Sequence, residues 1–443
     1  MGLNSRLLRA TLSGALAGLL FGFDTVVISG AIDALVRLYG LNAQEKGITV
    51  AIGLVGTVIG ALGAGQVGQK LGSRETLRLT ALLYIASALG CGLSSSWLAF
   101  MTFRFIGGLG IGSSSVLGPV YITEIAPAKL RGRLVAGFQL NVVFGVMAAY
   151  ISNYAFRTMH LGALEWRFQV GIAVVPAAIF LALLFGIPRS PRWLVSKNRT
   201  AEALATLRLM GDPAPESELA DIQAALAQEH VAAHESVFQS KYRYPLFLAI
   251  TIGAFNQLAG INAILYYLND IFAAAGFGQI SSDQQAIAIG TTNFLFTIVG
   301  MALIDKLGRK TLLLIGAAGC ACCLAGVAWV FATESHRGDL LWLLVTFIAF
   351  FSVSQGAVIW VYIGEVFPTA VRSKGQGVGS ASHWLSDTVI ALVFPSVVTM
   401  MSTATPFVFF SAATVVQFIV VAFFYPETKG QTLEDLQRKL MRT

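Results

Sequence analysis

Charge is what this sequence lacks. Only 12% of its 443 residues are Asp, Glu, Lys or Arg, about half the share of an ordinary soluble domain. Hydrophobic residues make up 56%, and the mean hydropathy is +0.71. No water-soluble shape hides that much apolar sequence, so a soluble enzyme, a disordered chain and a fibre are all excluded. Cysteine is scarce as well. Cys91, Cys320, Cys322 and Cys323 sit inside apolar runs, where a free thiol behaves as a small hydrophobe, so neither a disulfide scaffold nor a metal site is expected. No nucleophile–base constellation is present, and glycine-rich stretches such as 14–22 and 107–112 fall within apolar runs, where they suit close helix packing better than phosphate binding. An enzyme and a cofactor are therefore not expected.

What the sequence has is long apolar runs. About 20 residues are needed to cross about 30 Å of hydrocarbon. Uncharged stretches of that length occupy 47–69, 134–156, 168–188, 244–269, 284–304, 311–333 and 340–364. The run 79–123 is interrupted only by Arg104 and divides at Ser94–Ser96; the run 375–426 is interrupted only by Asp387 and divides near 400–405. A first span at about 10–32 contains Asp24. That acid, and the lack of a small-residue cleavage site, predict a retained helix rather than a signal peptide. Twelve spans are expected in all.

The net charge of +7 is a matter of topology. With the N-terminus placed in the cytoplasm, 24 of the 30 Lys and Arg residues fall in cytoplasmic segments and only five on the opposite side. The positive-inside rule then puts both termini in the cytoplasm, and nucleic-acid binding is not needed to explain the basic balance. The longest cytoplasmic segment, 189–243, has 14 charged residues in 55. Leu219, Ile222 and Leu226 within it predict short amphipathic helices. His230 and His234 share a helix face there without a third ligand and are expected to be solvated.

The chain also repeats itself. Lys70–Arg74 answers to Lys306–Lys310, Glu124 with Arg131 to Glu365 with Arg372, and Pro188–Arg192 to Pro426–Gly430. The separations are 236, 241 and 238 residues. Two related six-helix halves are expected, 1–188 and 244–426, joined by a linker at 189–243 and followed by a tail at 427–443. Transporters built from parallel repeats place substrate near the midplane between them.

These motifs carry a family resemblance over nearly the whole chain. They are Phe21-Gly22-Phe23-Asp24, Arg104 with Gly107–Gly110, Glu124 to Arg131, and Pro188 to Leu194. The second half adds Gln257 to Asn262 with Tyr266-Tyr267, Asp305 to Lys310, Trp360 to Glu365, and Pro426 to Gly430. The sequence resembles the sugar porters of the major facilitator superfamily, which include bacterial proton-coupled symporters and animal glucose facilitators. The resemblance implies an all-α polytopic membrane protein with 12 transmembrane helices in two pseudo-symmetric halves, working by alternating access in the cell membrane. Its implied partners are a monosaccharide, the proton and the lipid bilayer, and a monomer is expected. Some positions depart from the family pattern: Gln69 and Ser73, Arg189 in place of Glu, Ala357 in place of Pro, and His383 in place of Gln or Asn before Trp384. The first three bear on the cytoplasmic lock of the first half, and His383 bears on substrate choice.

A sugar presents hydroxyls that both donate and accept, and amides match that on one side chain. Gln139, Asn256, Gln257, Asn262 and Asn293 are amides within long apolar spans. Each needs a partner, because an unsatisfied polar group in hydrocarbon costs several kcal/mol; another helix or a sugar would serve equally. The resemblance favours sugar for Gln139, Gln257 and Asn262. Phe21, Trp360 and Trp384 are candidate apolar platforms, although core packing accounts for each taken singly. His383 completes the candidate set.

An acid inside a membrane helix is a functional candidate by default. Asp24 is pulled two ways, since a low dielectric favours its neutral form and a nearby Arg104 its ionised form. A group so poised suits proton coupling, and facilitators of the resembled family typically have Asn there. A permanent Asp24–Arg104 ion pair is the structural alternative. Glu124 with Arg131, Glu365 with Arg372, and Asp305 with Arg309 put opposite charges on cytoplasmic helix ends, where they would stabilise the outward-open state. The leading expectation is a secondary active transporter importing a hexose or pentose by proton symport. A passive facilitator and, further off, a non-transporting sugar sensor are the alternatives.

Overall fold

The structure is a computed structural model describing residues 5–127, 130–232, 235–368, 371–431 and 440, without the side chains of 228–232. His230 and His234 fall outside the described side chains. The described residues contain no strand. Twelve helical stretches are long and apolar enough to cross a membrane, matching the sequence in number and order. They are Ser5–Tyr39, Ala43–Leu71, Ser73–Leu93, Trp97–Ile125, Arg131–Thr158 and Gly162–Leu184, then Ser240–Tyr266, Gln279–Leu307, Arg309–Thr333, Arg337–Val366, Arg372–Met400 and Ala404–Phe424. Large apolar side chains point away from the protein along these spans, among them Leu93, Phe185, Met400 and Phe423, the last 80% exposed. Water would penalise such a surface, whereas lipid accepts it.

Several spans are broken where hydropathy averages see a continuous run. The first is two helices, Ser5–Val26 and Ile28–Tyr39. The seventh stops at Leu258, resumes as Ile261–Tyr266, and is followed by Leu268–Ala274. Gly260 has φ 80° at the first of these breaks, a conformation that favours glycine. The tenth divides at Ser354 into Leu340–Val353 and Gln355–Val366. Broken helices in transporters free backbone and side-chain groups at the depth where substrate binds.

The chain forms two compact units. The first comprises Met1–Val27, Ile52–Ala149 and Ala163–His234. Its core gathers Leu20, Tyr84, Ile122, Phe138 and Phe180. The first and fifth spans meet backbone to backbone: a side chain at Gly22 would strike the Val142 carbonyl, and one at Gly145 that of Leu19. The second and fourth do the same through Gly56, Gly60, Gly108 and Gly112, the small-residue contact expected of membrane helices. Three loop helices belong to this unit, Pro191–Ser196, Thr200–Met210 and Pro215–Ala232. Ile222 packs with Leu194, Ala203 and Leu207, and Leu219 and Leu226 lie against them.

The second unit comprises Ile28–Ala51, Tyr150–Gly162 and Glu235–Thr443. Its core includes Leu248, Leu313, Tyr362, Phe367 and Val421.

Candidate functional site

In the first unit, Phe21 and Asp24 stand one turn apart on the helix that ends at Val26. Arg104, about two turns into the fourth span, donates from Nη1 to Asp24 Oδ2 at 3.0 Å and to the Asp24 backbone carbonyl at 3.3 Å. The side chains are 5% and 8% exposed. Gly107 makes room for Ser87: a Cβ there would collide with the Ser87 hydroxyl, whereas it would only touch Asp24 Oδ2, at 3.5 Å. Two charges out of water are tolerated only as a well-bonded pair, yet this pair is incompletely bonded, because Arg104 Nε has no partner. Gln139, on the fifth span beside buried Phe138, is half-buried, as is Phe21.

The second unit holds a larger polar cluster around its broken seventh span. Gln257 donates from Nε2 to His383 at 3.1 Å and to Asn256 Oδ1 at 3.3 Å. Beyond the Gly260 break, Asn262 Nδ2 donates to Asp387 Oδ2 at 2.8 Å, and the Tyr266 hydroxyl donates to the same oxygen at 2.9 Å. Asn293 is used differently: its Oδ1 accepts from Ser352 at 2.9 Å. The rings of Trp360 and Trp384 both pack against His383, with centroids at 5.1 and 4.9 Å from its ring. Trp360 is 38% exposed, whereas Trp384 and His383 are buried. The unit thus brings together Asn256, Gln257, Asn262, Trp360, His383 and Trp384, while Asn293 pairs with Ser352. Amides that donate and accept, beside an open indole face, can hold a small polyhydroxylated molecule.

The charged residues expected at the cytoplasmic helix ends find partners within each unit. Arg131 donates to Glu218 at 3.1 Å, and Glu124 accepts from the Ser73 hydroxyl at 2.8 Å. Arg309 binds Glu365 through Nε and Nη2 at 3.2 and 2.8 Å, and Asp305 at 3.0 Å. Arg372 Nε donates to the Phe367 carbonyl. Two ion-pair groups in the second unit are not apparent from the sequence. Lys46 lies between Asp270 and Asp33, at 2.6 and 3.5 Å. Arg157 pairs with Asp283, which also accepts from Asn269. Their only signal in the sequence is isolated charge at the ends of apolar runs.

A family model described as "Sugar (and other) transporter" matches residues 10–440. The chain is 34% identical over 435 residues to an arabinose–proton symporter of Bacillus subtilis, covering 96% of this chain and 93% of that one. It is 31% identical over 471 residues to a D-xylose–proton symporter of Escherichia coli, covering 98% and 96%. A partially occluded, inward-open structure of the xylose transporter XylE from E. coli superposes with a TM-score of 0.87 at 29% identity, covering 97% of this chain and all of that one. With the twelve spans, the buried acid–arginine pair and the amide–indole cluster already in place, the chain belongs to the sugar transporter family of the major facilitator fold.

Proposed function

We propose that this protein imports a monosaccharide, a hexose or pentose, by proton symport. The observation that carries the reading is the buried Asp24–Arg104 pair, a proton-accepting carboxylate held by one incompletely bonded guanidinium. Protonation of Asp24 cancels the attraction and frees Arg104; deprotonation restores the pair. A bond made and broken in this way links proton occupancy to the shape of the first span. Gln139, Gln257, Asn262 and His383 bind hydroxyls, with Asn256 and Asn293 as lesser contributors, and Phe21, Trp360 and Trp384 supply apolar faces. The protein carries sugar without altering it. Both termini lie on the cytoplasmic side of the cell membrane, residues 1–188 and 244–426 act as the two halves, and the monomer is the working unit. Glu124, Arg131, Asp305, Arg309, Glu365 and Arg372 hold the cytoplasmic helix ends when that side is closed.

Uptake of labelled D-xylose and D-glucose into proteoliposomes tests the proposal. Symport requires accumulation above equilibrium under an inward proton gradient, abolished by a protonophore, and loss of that accumulation in Asp24→Asn with sugar exchange retained. Concentrative uptake by Asp24→Asn would sink the assignment. A passive facilitator is the second reading, favoured by the ion pair itself: were Asp24 and Arg104 never to part, uptake would equilibrate and ignore the gradient.

A further inference from the structure

The symport reading leaves one buried acid unused. Asp387 is fully buried in the eleventh span, and no ion pair reaches it among the described residues. Its Oδ2 accepts from Asn262 and Tyr266, while its Oδ1 has no partner. The titratable groups facing it are few. His383 lies one turn earlier on the same helix and is engaged by Gln257. The seventh span offers Tyr266, together with Tyr267, whose hydroxyl is spent on the Ala391 carbonyl. The tenth span has its acid, Glu365, bound to Arg309 at the far end, and the twelfth, Ala404–Phe424, has no ionisable residue.

A carboxylate buried with no cation costs several kcal/mol unless hydrogen bonds support the charge. Here two donors do so, and one of them is Asn262, a residue of the proposed sugar site. A sugar hydroxyl that engages Asn262 draws its amide away from Oδ2. That removes one of the two bonds supporting the ionised form and leaves a bare Oδ1 as the place for a proton. Sugar binding and proton binding then favour each other, as linkage requires of any two ligands so coupled.

Resting on the symport reading, we propose that Asp387 is a second proton carrier, so that each sugar crosses with two protons, one on Asp24 and one on Asp387. In the outward-facing state an O–H bond forms at Oδ1 with a proton taken from water. In the inward-facing state, with the sugar gone and Asn262 returned, that bond breaks and the proton passes to water on the cytoplasmic side.

The full chain in proteoliposomes, with a tenfold D-xylose gradient, equal pH on both sides and a potassium diffusion potential, reads the coupling number directly. Net sugar flux vanishes at about 30 mV if two charges move with each sugar and at about 59 mV if one does. The expected values are about 30 mV for the unaltered protein and about 59 mV for Asp387→Asn. A null potential of about 59 mV in the unaltered protein overturns the proposal, and so does Asp387→Asn remaining at about 30 mV. Should Asp387→Asn fail to transport, Asp387→Glu decides: about 30 mV supports a second carrier, about 59 mV rejects it. Flux that ignores the potential altogether refutes symport itself, a failure distinct from a null at 59 mV.

Discussion

Two helix junctions, one in each unit, are built to the same plan and secured differently. Each turns between spans on a glycine with φ 90°, Gly72 in the first unit and Gly308 in the second, where any other residue would be strained. Each has a buried tyrosine donating to a proline carbonyl, Tyr121 to Pro188 at 2.9 Å and Tyr362 to Pro426 at 3.2 Å. Each sends a basic side chain to the end of another span, Arg78 to the Leu184 carbonyl and Lys310 to that of Ala422.

There the likeness stops. The residue after the glycine is Ser73 in one junction and Arg309 in the other. Glu124 therefore accepts a neutral hydroxyl, whereas Glu365 accepts two guanidinium bonds. The residue after the proline is Arg189 in one and Glu427 in the other. Arg189 lies over the Trp193 ring, 3.7 Å from Glu75. Glu427 instead takes the backbone N–H groups of Arg309, Lys310, Thr428 and Lys429, at a helix start that favours an anion. Partial burial pushes its carboxyl up, but those four donors hold it below the usual glutamate value. A repeated backbone does not guarantee a repeated lock: the turn is common to both, and the strength lies in two side chains.

The largest expected effect comes from making the strong junction resemble the weak one. Arg309→Ser leaves Glu365 without its guanidinium and is expected to cost about 2 kcal/mol. Hydrogen exchange should report the loss as faster exchange in the first turn of the ninth span, with the third span unaffected. Equal acceleration in both would break the comparison. The reverse transplant should give less. Ser73→Arg together with Arg189→Glu supplies the first junction with the charges of the second, for a gain of about 1 kcal/mol. A thermal midpoint in detergent raised by roughly 2 °C would match that gain; a fall would mean that Trp193 and Glu75 need Arg189 more than its geometry indicates. Smallest of all is Arg189→Ala. Its ion pair is long and a third exposed, so the change should cost less than about 0.5 kcal/mol. A loss matching that of Arg309→Ser would show that the first junction depends on charge after all.

The twelve spans were legible because hydrocarbon thickness imposes a length, and length is visible in a sequence. Asp24 with Arg104 was legible too, as a lone acid and a lone base each stranded in an apolar run. The helix breaks were not. A hydropathy window averages about 19 residues, and single residues such as Val27 or Ser354 vanish inside it. Long-range partners were equally hidden. The repeated seven-residue spacing suggests Arg372 as the partner of Glu365, whereas the structure gives it Arg309, 56 residues away. Arg131 likewise finds Glu218 on a loop helix. Asp387 could be seen as an intramembrane acid, but its bond to Asn262 joins residues 125 apart, and no local pattern encodes that.

The helix Ile261–Tyr266 has only six residues, far too few to hold a helical shape unaided in isolation. Its form is lent by neighbours: Phe410 against Gly260, Asp387 beneath Asn262 and Tyr266, and the Ala391 carbonyl under Tyr267. A shape on loan is revised by its lenders. Under the proposed assignment of Asn262 to the sugar site, substitutions at Phe410 or around Ala391 are therefore expected to alter sugar preference with Asn262 itself unchanged.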